Sequence, residues 1–269
     1  MSKPTDQQLP LRVVQITDCH LGKVAGSRLL NLDTDQSLAA VIELVRAQQP
    51  RIDVLLATGD LSDQGSTAAY RRFLSATRDL AEHTRWLPGN HDDPTVMRAA
   101  LGADSRMQRN LVLGNWQIVM LDSSARGEVG GYLAAEELDA LKLCLDAHPE
   151  HFVLICLHHQ VEPVGCAWLD RQQVANSEQL WDVIKNYPQV RSVVSGHVHQ
   201  RFDDLRHDVR VITSPSTCVQ FAPNSDDFKV DNEMPGYRWF ELHANGRICT
   251  GVERVSGFDY EIDLTATGY

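Results

Sequence analysis

The strongest constraint on the fold is an alternation of short apolar runs with amphipathic stretches of helical period in the first third of the chain. Apolar residues at positions 38, 41, 42 and 45 give the first such stretch the spacing of a helix face, and Pro50 ends it. Strands that alternate with helices of this length indicate crossover connections and a largely parallel sheet. The predicted strands span residues 11–17, 54–58 and 84–87, and the predicted helices span residues 34–49 and 66–80.

The second half of the chain predicts further strands and a C-terminal hairpin. The dipeptide Asn245-Gly246 between two strand-like stretches is a strong signal for a tight hairpin turn. No repeat, low-complexity segment or linker interrupts the sequence, so we expect one domain over residues 11–256, with a flexible N-terminal tail at 1–10 and a C-terminal tail at 257–269. The predicted strands here span residues 116–122, 152–158, 190–195, 238–242 and 248–255, with helices at 134–147 and from Ser177.

The charge balance limits the partners of the protein. The 269 residues include 25 Lys and Arg against 36 Asp and Glu, a formal net charge of −11, and no basic cluster stands out along the sequence. Proteins that grip nucleic acid or an anionic membrane usually present such a cluster, so we expect neither partner. A small anionic substrate is compatible with this balance, because a bound metal would add positive charge locally. The sequence leaves the oligomeric state open.

The N-terminus and the cysteines bear on the compartment. The first ten residues are polar and lack the apolar core of a secretory signal, and no apolar run approaches the ~18 residues of a membrane span. We therefore expect a cytoplasmic protein. The six cysteines form no C-x-x-C pair, which favours reduced core thiols over a zinc ribbon or a redox motif.

Residues of the kinds that bind metals follow the predicted strands. In α/β sheets, ligands bind in the crevice at the carboxyl ends of the strands, so these side chains should meet there. Together they offer two carboxylates, one amide and at least four imidazoles, a set that suits Mn, Fe, Zn or Co rather than calcium. Strand by strand, the residues are Asp18 and His20; Asp60; Asn90 and His91; His158 and His159; and His197 and His199.

The spacing within two of these motifs has a structural meaning. In extended chain, residues i and i+2 lie on the same face, so Asp18 and His20 should project together, as should His197 and His199. Glycines precede or open three of the motifs, and we expect them to permit tight turns and a close approach of the backbone to a bound group. These glycines are Gly59, Gly89 and Gly196.

The order D-x-H, G-D, G-N-H-D, H, G-H-x-H resembles that of the calcineurin-like metallophosphoesterases. The resemblance implies an α/β fold, an αββα four-layer sandwich of two mixed sheets, with a dinuclear metal centre at their upper edge. It implies two divalent or mixed-valence ions, with Fe and Mn favoured and Zn or Co as alternatives. By motif, one ion would be held by Asp18, His20 and His199, the other by Asn90, His158 and His197, and Asp60 would bridge both.

The same resemblance implies catalytic roles. His91 and Asn90 would be the catalytic residues, with a bridging hydroxide as the nucleophile and the His91 imidazolium as the proton donor to the departing sugar oxygen. Asp63, three residues after Asp60, is interpreted as a loop or cap residue rather than a ligand. Contacts with the substrate would come from His20, Asn90, His91 and His199.

One departure from the family pattern concerns the pair His158-His159. Gln160 follows this pair, where many members of the family have proline. The departure leaves open which of the two histidines is the ligand, although the position of His158 directly after the predicted strand favours His158.

Three longer stretches, residues 157–170, 214–228 and 235–246, look like the bacterial class III cyclic-AMP phosphodiesterases. This resemblance implies hydrolysis of 3',5'-cyclic AMP to 5'-AMP, which would lower cellular cyclic AMP. The alternatives are a metal-dependent phosphodiesterase for another small diester, such as a glycerophosphodiester or an aryl diester, a phosphomonoesterase, and a protein-binding scaffold without metal. The intact motifs argue against the scaffold. Three aromatic side chains could stack on a purine, with core or rim packing as the simpler interpretation: Trp168, Phe221 and Tyr132.

Overall fold

The computed structural model describes residues 9–258 and 261–268, and within them it has fifteen strands and six α-helices. The strands are β1 Leu11–Ile16, β2 Arg28–Leu29, β3 Leu32–Asp33, β4 Val54–Thr58, β5 His83–Leu87, β6 Asn110–Leu113, β7 Trp116–Met120, β8 Phe152–Cys156, β9 Val190–Ser195, β10 Phe202–Arg206, β11 Val209–Thr213, β12 Gln220–Phe221, β13 Val230–Asp231, β14 Gly236–Leu242 and β15 Ile248–Arg254. The helices are α1 Thr34–Gln48, α2 Thr67–Thr77, α3 Pro94–Leu101, α4 Ala135–Ala147, α5 Ala167–Asp170 and α6 Ser177–Ile184, with a 3-10 turn at Ser105–Met107.

Two mixed sheets contain most of the strands. The first has the order β15-β14-β1-β4-β5, and the second has the order β10-β11-β9-β8-β7-β6. Strands β1, β4 and β5 run parallel as neighbours, and so do β7, β8 and β9. The carboxyl ends of each parallel group therefore meet at one edge of their sheet, where the metal-binding motifs begin.

Three buried clusters separate four layers of structure. Val41 of α1 and Phe73 of α2 belong to the cluster between these helices and the first sheet, and Leu141 of α4 and Trp181 of α6 belong to the cluster on the second sheet. The cluster between the two sheets includes Val13, Leu56, Ile118, Leu154 and Val194. Each sheet is thus buried on both faces, which requires a covering layer on each side. The predicted αββα sandwich is confirmed.

Local sequence signals account for several element boundaries. Asp33 caps α1 and Ser66 caps α2, and each side chain accepts a hydrogen bond from the backbone N–H three residues later. The predicted hairpin forms between β14 and β15, and Gly246 in its turn has a φ of +84°, a conformation that favours glycine. These elements follow from short-range chemistry and are accordingly found where the sequence indicates them.

The sequence pattern misses other elements, among them α3, β6, β10 and β11. Strand β10 lies at a sheet edge with three of its five residues exposed, so it lacks the apolar alternation that identifies a half-buried strand. Strands β7 and β8 end at Met120 and Cys156, two residues before their predicted ends, because the chain leaves the sheet before it reaches the polar motif residues.

The C-terminal segment packs against the domain. Residues 1–8 of the predicted N-terminal tail lie outside the described residues, and the division of the chain into a domain and two tails stays a prediction. In the C-terminal segment, Ile262 packs against a buried cluster that includes Phe221, and the backbone N–H of Asp263 donates to the carbonyl of Leu30 at 3.0 Å. In the described part of the chain, no helix has both the length and the apolar character needed to cross a membrane.

Candidate metal centre

The loops after β1 and β4 run side by side at the carboxyl edge of the first sheet. The backbone N–H of Asp18 donates to the carbonyl of Gly59 at 3.0 Å, and that of His20 donates to the carbonyl of Asp60 at 2.9 Å. These hydrogen bonds fix the two loops to each other. The buried carboxylates of Asp18 and Asp60 therefore enter the same crevice.

Five of the predicted ligands have left-handed backbone. They are Asp18, His20, Asp60, His197 and His199, with φ between 45° and 65°. The expectation that Asp18 and His20, and likewise His197 and His199, share a face of extended chain is therefore wrong. Strand β1 ends at Ile16 and β9 ends at Ser195, and both pairs lie in left-handed turns beyond these strands. Such backbone costs about 1–3 kcal/mol per residue and persists only where its surroundings hold it. Its concentration here marks the loops as functional.

One group of side chains that could ligate a metal, here called a donor group, consists of Asp18, His20 and His199. Their ligand atoms lie within 4.8 Å of one another, and Nε2 of His199 is 3.3 Å from Nε2 of His20 and 3.4 Å from Oδ1 of Asp18. Because Nδ1 of His199 donates to the carbonyl of Val219 at 2.7 Å, Nε2 is the ring nitrogen that is left to face this group. Burial raises the pKa of Asp18, but the interactions with His199 and His158 together outweigh burial and keep this pKa below its ordinary value.

A second group of donors consists of Asn90, His158 and His197. Nδ1 of His158 donates a hydrogen bond to the carbonyl of Thr58 at 2.8 Å. The other ring nitrogen, Nε2, therefore faces the site and could ligate a metal, and it lies 3.2 Å from Oδ1 of Asn90. The ring of His197 lies 5.1 Å from that of His158. Nε2 of His197 lies 3.1 Å from Oε1 of Gln172, so Nε2 carries the proton and Nδ1 presents the lone pair.

Asp60 lies between the two groups. Its Oδ2 is 3.2 Å from Nε2 of His158 and 3.8 Å from Nε2 of His20, and its Oδ1 accepts a hydrogen bond from the backbone N–H of His91 at 2.9 Å. Burial opposes the ionisation of Asp60, but the neighbouring histidines, His158 above all, hold its pKa well below the ordinary range. The carboxylate is thus placed to serve both groups at once.

The contacts of His158 and His159 separate the two histidines that the sequence left as alternatives. His159 lies close to the second group, but its Nδ1 is 2.9 Å from Oγ of Ser123 and its Nε2 is 3.0 Å from the carbonyl of Val129. Both ring nitrogens of His159 are therefore engaged by the protein, whereas Nε2 of His158 faces Asn90 and Asp60. These contacts favour His158 as the ligand.

His91 lies at the mouth of the site with a quarter of its side chain exposed. Its Nδ1 is 3.1 Å from the carbonyl oxygen of Asp63 and 3.7 Å from the carboxylate of Asp63. The same carboxylate lies 3.6 Å from Nδ1 of His20. The interpretation of Asp63 as a plain loop or cap residue is therefore incomplete, since this residue holds the orientation of His91. Its position three residues after Asp60, in the same loop, was the signal available in the sequence.

Asp92 joins the loops after β4 and β5. Its carboxylate accepts hydrogen bonds from the backbone N–H groups of Leu61, Ser62 and Gly89, at 2.9 to 3.2 Å, and from the hydroxyl of Tyr70 at 3.0 Å. Burial and the nearby charge of Asp60 raise the pKa of Asp92 to about 7. This network sets the position of Asn90 and His91 relative to Asp60, a role for Asp92 that the motif G-N-H-D does not by itself reveal.

The motif glycines make room for protein side chains rather than for a bound group. A Cβ at Gly89 would lie 2.2 Å from Oδ1 of Asp60, and one at Gly196 would lie 2.2 Å from Oγ1 of Thr17 and 2.7 Å from Oδ2 of Asp18. Cβ atoms in folded proteins do not make contacts this short. The expected close approach is therefore real, but the groups that approach include the carboxylates of the two predicted ligands Asp18 and Asp60.

A cavity of about 310 Å³ opens beside the two donor groups. Phe221 stacks on the ring of His199 with centroids 4.3 Å apart and an interplanar angle of 12°, and it also contacts Trp168 edge-on. Both aromatic side chains are buried, in agreement with their interpretation as packing residues that also form a wall. The lining includes Asn90, His91, Trp168, Gln172, His197 and Phe221.

The donors fit a pair of transition-metal ions. Two buried carboxylates and an amide oxygen face four imidazoles, and His158 and His199 each hold one ring nitrogen at a backbone carbonyl and turn the other inward. This mixed set of N and O donors suits Mn, Fe, Zn or Co. No cysteine belongs to either group, and Cys19 turns into the core.

An αββα sandwich with two donor groups at the carboxyl ends of its strands is the arrangement expected of a metallophosphoesterase. A model of the calcineurin-like phosphoesterase family matches residues 11–201, and the chain belongs to that family. The family resemblance inferred from the order of the motifs is confirmed.

Comparison with known proteins narrows the class further. The chain is similar to a 3',5'-cyclic adenosine monophosphate phosphodiesterase CpdA of Pseudomonas aeruginosa, with 44% identity over 96% of this chain and 94% of the relative. It is 40% identical to the protein of the same name from Vibrio vulnificus, over 100% and 98% of the two chains. A dimetal phosphatase from Danio rerio shares the fold, with a TM-score of 0.64, 15% identity, and coverage of 93% of this chain and 100% of that one. Family and relatives bear out the predicted enzyme class, a metal-dependent phosphodiesterase.

Proposed function

We propose that this protein hydrolyses 3',5'-cyclic AMP to 5'-AMP and thereby lowers cellular cyclic AMP. The observation that carries the proposal is the position of Asp60 between two donor groups, next to an open cavity with His91 at its mouth. The activity named for the relatives from Pseudomonas aeruginosa and Vibrio vulnificus, at 44% and 40% identity, supports cyclic AMP as the substrate. A cytoplasmic location, and the expected lack of nucleic acid and membrane partners, stay predictions from the sequence.

The proposal assigns one metal to Asp18, His20 and His199 and the other to Asn90, His158 and His197, with Asp60 as a ligand of both. When bound, the two ions would supply a hydroxide nucleophile at neutral pH and stabilise negative charge on the phosphoryl oxygens. The hydrogen bonds from His158 and His199 to backbone carbonyls hold these rings in the tautomer and orientation that ligation needs.

His91 is assigned as the proton donor. Hydrolysis forms a bond from the attacking oxygen to phosphorus and breaks the bond from phosphorus to the 3' oxygen, which must gain a proton to leave as a hydroxyl. Nδ1 of His91 is held at Asp63, so the Nε2 of the imidazolium is the nitrogen available to protonate that oxygen. Asn90 lines the same cavity as His91, and the rings of His20 and His199 contact His91 and Phe221 at its wall. Asn90, His20 and His199 are assigned, with His91, as the contacts of the phosphate.

The test begins with purified protein that has been stripped of metal and reloaded with Mn²⁺ or Fe²⁺. Its hydrolysis of cyclic AMP, cyclic GMP, bis(p-nitrophenyl) phosphate and p-nitrophenyl phosphate is compared, with an Asp60→Asn preparation as the control for contaminating phosphatases. We expect cyclic AMP to be converted to 5'-AMP. Preference for the monoester would overturn the diesterase assignment, and hydrolysis of the aryl diester without either cyclic nucleotide would overturn the substrate.

A further inference from the structure

Arg85 is a buried arginine whose charge is not neutralised by the described part of the protein. Only 7% of the residue is exposed, and its Nη1 donates to the backbone carbonyl of the adjacent Thr84 at 2.9 Å. Among the described residues, its Nε has no hydrogen-bond partner, and burial alone accounts for the lowering of its pKa. A guanidinium buried without a counter-ion is costly, so this position calls for an anion.

Two further arginines converge on the same place. Arg78 follows α2 and Arg106 lies in the 3-10 turn, and with Arg85 they line a cavity of about 430 Å³. In the described structure, Nε of Arg106 also lacks a partner. The three arginines are well separated in sequence, so they come together only in the folded protein and form no basic run along the sequence.

The other charged groups at the cavity do not neutralise Arg85. Asp104 is paired with Arg106, and the exposed Glu82 lies 3.9 Å from Nε2 of His83. Arg78 pairs with Asp79 on the surface at 3.4 Å. Arg85 is therefore the one arginine of the three that has no carboxylate partner among the described residues, in a protein whose formal net charge is −11.

The remaining lining suits an oxyanion. Thr84 and Ser105 contribute hydroxyl groups and His83 contributes an imidazole, while the apolar contribution includes Ala81 and Ala103. Guanidinium groups bind phosphate through paired N–H donors. We propose that this cavity binds the phosphate group of a small molecule, with Arg85 as the central donor and Arg106 beside it.

The cavity is separate from the metal centre. It surrounds His83, Thr84 and Arg85 at the start of β5, whereas Asn90 and His91 follow the other end of this strand. Five strand residues span roughly 16 Å. A phosphate bound at Arg85 is thus a second ligand of the protein and does not depend on the proposed hydrolytic reaction.

The test follows the arginine side chains of the ¹⁵N-labelled protein by NMR, with the protein loaded with diamagnetic Zn²⁺. Inorganic phosphate and 5'-AMP are titrated in separate experiments, with Arg85→Gln used to assign the Nε–H signal of Arg85. We expect this signal and that of Arg106 to shift saturably in the millimolar range or below. Equal affinity for the two ligands would identify a site for free phosphate, and tighter binding of 5'-AMP would identify a nucleotide site.

Controls distinguish this cavity from the metal centre and from the general effect of salt. In Arg85→Gln, the phosphate-dependent shift of Arg106 should be lost, while shifts of the metal-centre histidines stay. Arg98→Gln, at an exposed position of α3, should change neither the shift of Arg106 nor the shifts of the metal-centre histidines. In the unmutated protein, an Nε–H signal of Arg85 that does not shift with ligand would overturn the proposal. A shift that does not saturate, like that expected for the exposed Arg98, would overturn it as well.

Discussion

Oε1 of Gln172 lies 3.1 Å from Nε2 of His197, at the wall of the cavity beside the metal centre. The amide oxygen can only accept, so this contact fixes the proton of His197 on Nε2 and leaves Nδ1 as its donor atom. Gln172 is therefore a positioning residue for one of the proposed ligands. The family motifs do not include it.

Replacing Gln172 by Met should weaken the metal position that includes His197. The side chain keeps its size but no longer accepts from Nε2, and loss of such a partner typically lowers metal affinity roughly 10- to 100-fold. Calorimetric titration of the metal-free protein with Mn²⁺ measures this change directly. Gln172→Glu retains an acceptor and should restore most of the affinity; equal affinity in Gln172→Met and the unmutated protein would refute the positioning role.

Asp60→Ala should abolish the dinuclear centre. The carboxylate lies 3.2 Å from His158 and 3.8 Å from His20, so its removal takes a ligand from both groups. Elemental analysis after reconstitution should find at most about one ion per chain, and activity should be lost. Asp139→Asn, at an exposed position of α4, is the matched control and should bind the normal amount. Unchanged metal content in Asp60→Ala would disprove the bridging assignment.

His91→Ala should slow the hydrolysis of cyclic AMP by roughly 10²- to 10⁴-fold, the usual contribution of general acid catalysis. The loss should be much smaller with bis(p-nitrophenyl) phosphate, because nitrophenolate leaves without protonation. Metal content measured on the same samples should be normal. An equal loss with both substrates would argue against proton donation by His91.

Asp63→Asn tests whether the carboxylate of Asp63 contributes to the function of His91. The backbone carbonyl that accepts from Nδ1 is retained, whereas the carboxylate at 3.7 Å becomes neutral. Since the proposal assigns a cationic ring to His91 as the proton donor and this carboxylate lies beside it, loss of the negative charge should lower kcat for cyclic AMP, with much less effect on bis(p-nitrophenyl) phosphate. An unchanged kcat for cyclic AMP would show that the carboxylate does not act on His91.

Gly89→Ala should destabilise the protein and distort the centre. The added Cβ would lie 2.2 Å from the carboxylate of Asp60, and relieving such an overlap typically costs about 1–3 kcal/mol. Thermal unfolding and metal content should both report the loss. Gly130→Ala is the matched control, because its Cβ would meet only ordinary contacts, the nearest at 3.6 Å. Equal stability of the two variants would contradict this account.

The sequence was sufficient for the parts of the fold that depend on local patterns. Apolar periodicity identified β1, β4, β5, β8 and β9, and cap and turn residues such as Asp33 and Asn245 marked element boundaries. Because ligands collect at the carboxyl ends of parallel strands, the order of the motifs was enough to predict which residues would meet. The edge strand β10 escaped prediction since an exposed edge requires no apolar alternation.

The tertiary structure decided what depends on contacts between distant segments. The contacts of Ser123 and Val129 with the ring of His159 add a structural reason to the preference for His158 that the sequence already indicated. The left-handed turns of the loops that carry the predicted ligands are not anticipated by the i, i+2 rule. The roles of Gln172 and Asp63 and the convergence of arginines around Arg85 have the same origin. The motifs along the chain were enough to identify the kind of site. Hydrogen bonds and charges act between residues that are distant in sequence, so only the folded chain determined which atoms face the site.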